Sequence, residues 1–148
     1  MNTAEIHVGR LLEIRVASGY RSVADVDALF AAIAAAIQGQ TYKQFVLVAD
    51  WRGCMLMSSD AAQRALERMT GNNHFIERSA VLSSPRSPTA VLQFLRVVRQ
   101  SNHAKRRLFQ DTASLVQWLA EVLNPAELAR LGSFLAPARA LRSMPPHR

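Results

Sequence analysis

Three adjacent polar residues, Ser58, Ser59 and Asp60, are the part of this sequence best placed to do chemistry, because they follow an apolar run and open a stretch of helical periodicity. Backbone N–H groups at a helix start lack partners. A serine there either caps the helix, contributing about 1 kcal/mol, or, once phosphorylated, sets a dianion where negative charge is favoured. Capping is the ordinary role. Ser59, and after it Ser58, are the phosphorylation candidates, and Asp60 already supplies one negative charge beside them.

Asp50 has the chemistry of a base or a metal anchor, but no second carboxylate or histidine stands at ligand spacing, so hydrogen bonding at a strand end is its ordinary role. Cys54 lies in an apolar Cys-Met-Leu-Met run with no CxxC and no adjacent histidine, which reads as a buried or half-buried thiol rather than a nucleophile. Met55, Leu56 and Met57 form an apolar cluster in a loop. They either pack beneath the sheet or make the adaptable surface that methionines provide. Asp50, Met55, Met57 and Asp60 are therefore the partner-binding candidates.

His7, His74, His103 and His147 make no HxxxH or HExxH pair, and GxxxxGK[ST], GxGxxG and GxSxG are absent. The reading is of a protein without catalysis, cofactor or metal. The densest basic group is Arg96, Arg99, Lys105, Arg106 and Arg107. Arg96 and Arg99 share a helix face at i, i+3, and the later three follow just beyond, so one patch is expected. Such a patch suits phosphate, acidic lipid or an acidic protein, although a solvated basic edge is the commoner outcome. No aromatics interleave with these arginines, Phe94 and Phe109 being expected inside, and that weakens nucleic-acid binding.

These residues must be positioned by elements the periodicity predicts. Residues 45–49 are a continuous apolar run, as in a central strand covered on both faces. In residues 5–18, Ile6 and Val8, then Leu12, Ile14 and Val16, alternate around Gly9-Arg10, which predicts a hairpin or a bent strand pair. Ser22 with Asp25 resembles a capping box for a helix with Val26, Leu29, Phe30, Ile33 and Ile37 on one face, closed by Gly39. A second helix, capped by Ser58 or Ser59, turns Ala62, Ala65, Leu66 and Met69 inward and stops at Gly71. Residues 79–83 read as a strand, and Ser87-Pro88 opens a helix with Val91, Leu92, Leu95 and Val98 inside. Residues 106–109 form a last strand. Asp111 caps a helix carrying Leu115, Trp118, Leu119 and Val122, and Asn124-Pro125 begins another to about Leu135.

Strands and helices that alternate after a hairpin imply an α/β fold. The expectation is a small, mostly parallel or mixed sheet of about four to five strands with about five helices packed on it. Its 148 residues, 49% hydrophobic and 20% charged, suit one globular domain, set at residues 1–135, with a mobile Pro/Arg-containing tail at 136–148. The longest apolar run, residues 28–37, is too short to cross a bilayer. Polar residues near the N-terminus argue against an export signal, and one cysteine suits a reducing compartment, so a cytoplasmic location is expected. Residues 1–75 hold seven basic and seven acidic side chains, whereas residues 76–148 hold eleven and four, so the net charge of +7 lies wholly in the second half.

The element order and the central stretch resemble the STAS domain, the fold of the SpoIIAA-like anti-sigma-factor antagonists of bacteria and of sulfate-transporter tails. SEC14-like lipid carriers are a more distant likeness. In STAS regulators a buried strand ends in aspartate, a glycine-containing loop follows, and an Asp-Ser-Ser-Gly turn opens the next helix. Residues 45–49 are similar to that strand, Asp50 and Gly53 to the aspartate and glycine, and Ser58-Ser59 falls at the turn. Residues 106–119 are similar to the closing strand and helix, and the likeness spans about residues 5–122. Aligned without gaps, Ser59 takes the place of the phosphorylatable serine, while Ser58, Asp60 and Ala61 replace the family's aspartate, second serine and glycine. The resemblance implies a regulatory module that binds another protein, a kinase or regulator, with a switch at Ser58/Ser59. Exposed strand edges allow a homodimer. The alternatives are a carrier of an apolar ligand and a basic module on nucleic acid or anionic membrane.

Overall fold

The computed structural model describes residues 1–84 and 86–136. Strands β1 (Asn2–Ile6) and β2 (Leu11–Val16) form the expected hairpin, followed by α1 (Val23–Ile37), β3 (Phe45–Asp50), α2 (Ser59–Asn72), β4 (Ile76–Leu82), α3 (Pro88–Gln100), β5 (Arg106–Phe109), α4 (Thr112–Ala120) and α5 (Pro125–Leu135). The sheet runs β1-β2-β3-β4-β5. β1 is antiparallel to β2, with Asn2 opposite Val16 and Ile6 opposite Leu12, and the other pairs are parallel.

Strands that follow one another across a parallel sheet by crossovers of one hand place their helices on one face. The two cores obey that rule. One holds Leu12, Ile14, Val16, Phe45 and Ala49 against residues of α1, α2 and α3. The other holds Leu11, Val46, Val48, Ala80 and Leu82 against α4 and α5. The apolar run of β3 is thus explained, since alternate residues enter opposite cores. β2 is buried on both faces too. Glu13, at 3% exposure, points into the α5 side and is neutralised by a bidentate pair with Arg130, both bonds 2.8 Å.

Helix starts follow the sequence closely. Ser22, Ser58, Ser87, Asp111 and Asn124 each accept the N–H three residues on, and Asn124 with Glu127 forms a full capping box. At Ser22 only half the expected box exists, because Asp25 turns to the N–H and side chain of Arg21. Gly39, at φ +81°, follows the end of α1 as expected.

Several expectations need correction. Val8 lies in the turn, where its carbonyl accepts from Leu11 N–H. Gly71 does not end α2, which runs to Asn72 and passes through a short 3-10 turn, Asn73–Phe75, into β4. Of the predicted stripe of α2, Ala65 and Met69 are buried together with Ala61, whereas Ala62 and Leu66 are only half-buried. In α3 the buried residues are Ala90, Phe94, Val97 and Val98, while Leu92 is 68% exposed. Phe94 decides this rotation by placing its ring edge-on to Trp51 at 5.1 Å, so the largest apolar surface takes the inside. Of the tail assigned to residues 136–148, only Ala136 falls within the described residues.

Candidate functional site

The loop from β3 to α2 is pinned at both ends and open in the middle. Trp51 N–H donates to Leu82 O at 2.8 Å and Cys54 N–H to Trp51 O at 2.9 Å. A Cβ on Gly53 would come within 3.1 Å of Ala17 O, so the loop lies against the end of β2. At the far end, the side-chain amide of Gln93 on α3 clasps Met57 from both sides, accepting its N–H and donating to its carbonyl, each at 2.8 Å. Between these anchors Met55 and Leu56 stand out, 74% and 54% exposed. Ser58 spends its hydroxyl as the cap, accepting from Ala61 N–H at 3.2 Å. Ser59, the first residue of α2, and Asp60 are exposed.

The partner-binding candidates therefore separate. Met55 and Asp60 are at the surface. Met57 is not; it is 4% exposed, because the Gln93 clasp turns it under the loop into the core. Asp50 is not available either. Its carboxylate is buried, accepting from Arg15 Nη1 at 2.7 Å, Arg52 Nε at 2.9 Å, Arg52 Nη2 at 3.0 Å and Arg52 N–H at 3.0 Å. Its predicted strand-end role is thus a structural one. The two guanidinium groups go on to donate to Phe134 O and Leu135 O, the carbonyls at the end of α5. A buried carboxylate thereby fixes two cations that satisfy a helix C-terminus, where positive charge is favoured. Arg52 titrates above its ordinary value, chiefly because its hydrogen bonds to Asp50 hold the proton.

The other end of α5 is latched to the hairpin. Glu127, 1% exposed, accepts from Arg10 N–H at 2.7 Å and from Asn124 N–H at 3.0 Å, and Arg10 also pairs with Glu77 at 2.7 Å. Burial acts to raise the Glu127 pKa, but the N–H groups of Arg10 and Asn124 and the Arg10 guanidinium outweigh it and hold the carboxyl below its usual range.

Cys54 is buried, as the sequence suggested, and burial pushes its thiol up to about 11, away from thiolate reactivity. Among the described residues no group of three His, Cys, Asp or Glu is placed to hold a metal ion, and no helix is long and apolar enough to cross a membrane.

The expected basic patch breaks apart. Arg96, Arg99 and Lys105 are exposed, but Arg106 is interior, with Nη1 donating at 2.8 Å to Asn73 Oδ1 and to Ser101 Oγ. Asn73 and Ser101 cap the C-termini of α2 and α3, so the buried cation faces the negative ends of two helices in place of a carboxylate. Burial still lowers its pKa, to about 10. Arg107 points to the opposite sheet face, its guanidinium 4.8 Å from the Trp118 ring centre. Strand alternation is the reason: neighbours on β5 cannot share a face.

Sequence reasoning missed Gln93 and Leu92. A glutamine that clasps a distant backbone and a leucine left outside look, in sequence, like any helical residues. The interior cavity between the sheet and α1 and α2, lined by Tyr20, Phe30, Trp51, Met69 and Arg106 among others, holds about 30 Å³. That is room for a water, whereas small-molecule sites run to about 300 Å³ or more. That cavity is too small for a carried lipid.

No protein-family model matches the chain, and no curated protein matches it. Among solved structures, an uncharacterized protein of the DUF3478 family with a SpoIIAA-like fold, from Shewanella loihica PV-4, superposes with a TM-score of 0.57 at 18% identity, covering 80% of this chain and 95% of that one. With its antiparallel first strand, its parallel remainder and helices on both faces, this chain has the SpoIIAA-like fold that its sequence resemblance implied.

Proposed function

We propose that this STAS-like chain acts without catalysis, by docking another protein on the β3–α2 loop and the start of α2. One observation carries the reading: Met55 and Leu56 are held out to solvent on a loop that hydrogen bonds fix on either side. Exposed apolar side chains held this way cost little ordering on binding. Ser59 stands beside them at a helix start, where a phosphate would find free N–H groups and bring up to two negative charges to the docking surface. A kinase or regulator of the cytoplasm is the class of partner that the SpoIIAA-like fold suggests, with Ser59 as the gate.

The test is affinity capture from the native host with the wild-type chain and with a Met55→Ser/Leu56→Ser variant, the captured proteins being identified by mass spectrometry. Both residues are exposed, so the variant should keep the wild-type urea midpoint while losing the partner. A variant that retains the same partner at the same yield overturns the reading. Peptide mass spectrometry on residues 53–64 tests the gate: phosphate on Ser59 supports it, and an unmodified peptide across growth conditions leaves Ser59 as part of the helix start alone.

A further inference from the structure

The net charge is segregated more sharply than the sequence halves suggest. From Glu77 to Asp111 the chain has no carboxylate, yet this run holds Arg78, Arg86, Arg96, Arg99, Lys105, Arg106 and Arg107. Every described arginine outside it is paired with an acid. Inside it, Arg78 pairs with Glu121 at 2.8 Å and Arg106 is buried. Arg86, Arg96, Arg99, Lys105 and Arg107 are exposed and have no acidic partner among the described residues. Lys105 immediately precedes the edge strand β5 and Arg107 lies within it, where charge blocks pairing with other chains, and Arg107 faces the other side of the sheet. Arg96 and Arg99 stand on a helix, so edge protection does not account for them.

Their surroundings do suggest a role. Leu92, Arg96 and Arg99 recur at i, i+4 and i+7 along the solvent face of α3. Among the described residues, Leu92, Met55 and Leu56 are three of the five large hydrophobic side chains left exposed, the others being Met1 and Tyr42. Gln93, beside Leu92, holds the loop that carries Met55 and Leu56. Arg96 also lines, with Ser59, Gln63, Gln93 and Gln100, a groove between α2 and α3. The groove and the cationic stripe thus share Arg96, and Gln93 ties the groove to the loop that carries Met55 and Leu56.

Resting on the docking reading above, we infer that the partner presents an acidic amphipathic segment of a protein, its apolar side chains meeting Met55, Leu56 and Leu92 and its carboxylates meeting Arg96 and Arg99. Phosphate backbones offer charge but no apolar anchors to match the three exposed side chains, which favours protein over nucleic acid. Charges of this rim kind act mainly on orientation and on-rate, and salt weakens them.

The probe is a labelled helical peptide with leucine on one face and glutamate on the other, titrated by fluorescence anisotropy, with the same peptide carrying lysine for glutamate as control. A DNA duplex and phosphatidylglycerol vesicles are titrated in parallel. The acidic peptide should bind and the basic one should not. Arg96→Glu/Arg99→Glu should weaken the acidic peptide by about tenfold or more, equivalent to about 1.4 kcal/mol, and should admit the basic peptide. Leu92→Ser should weaken binding without reversing the charge preference. Equal binding by the charge-reversed variant, no binding of the acidic peptide, or tighter binding to duplex or vesicles overturns the inference. If the captured partner depends on Met55 and Leu56 but not on Arg96 and Arg99, the docking reading stands and this inference alone fails.

Discussion

Replacing Gly9 by alanine should damage this protein far more than the same change at Gly39, although both glycines have positive φ, +57° and +81°. The left-handed backbone costs an L side chain about 1–2 kcal/mol at either site. At Gly39 nothing lies within 4 Å of the new Cβ, so that cost is the whole effect. At Gly9 the Cβ would fall 2.4 Å from Glu127 Oε2 and 3.0 Å from Glu127 Cγ and Cδ. Glu127 cannot swing into solvent, being 1% exposed, and moving its carboxylate sacrifices its bond from Arg10 N–H or from Asn124 N–H. A hydrogen bond to a charged group is worth about 1.5–3 kcal/mol, which brings the expected loss at Gly9 to about 3–5 kcal/mol. That is a large share of the 5–15 kcal/mol typical of a domain, and it should lower the urea midpoint by about 2 M. The assay is equilibrium urea unfolding of Gly9→Ala, Gly39→Ala, Glu127→Ala and the Gly9→Ala/Glu127→Ala double variant. Without Glu127 the Gly9 change should fall to about the Gly39 cost, because only the backbone strain is left. Equal costs at the two glycines, or a Gly9 cost undiminished without Glu127, would refute the reasoning.

Two further outcomes follow from the contacts of α5. Asp50→Asn removes the charge that holds Arg15 and Arg52 against Phe134 O and Leu135 O, and should cost about 3 kcal/mol; hydrogen exchange should rise first in the last turn of α5, and exchange unchanged there would contradict the assignment. Glu127, held below its ordinary pKa in the folded state, stabilises the protein above about pH 4.3, and that contribution is lost as the pH falls through the folded value. Stability of the wild type should therefore fall below pH 4.3 more steeply than that of Glu127→Gln, and parallel pH profiles of urea unfolding would dismiss the effect.

Most of the architecture is legible in the order of the residues alone. The apolar run of residues 45–49 marked a strand covered on both faces, and the caps Ser22, Ser58, Ser87, Asp111 and Asn124 marked helix starts, because both signals are local. The element order was enough for the SpoIIAA-like likeness, and the exposure of Ser59 and Asp60 follows from their place at a helix start. Contacts between distant segments were beyond its reach. Which way α3 turns depends on Phe94 meeting Trp51, and that rotation put Leu92 outside. Whether Met57 joins Met55 at the surface depends on Gln93, and whether Asp50 is free depends on Arg15, Arg52 and the end of α5. Arg106 looks like its neighbours in sequence but lies between two helix C-termini that only folding brings together. Periodicity records which residues share a face within one element; it carries no record of what that face meets, and at this site the meeting decides what is exposed.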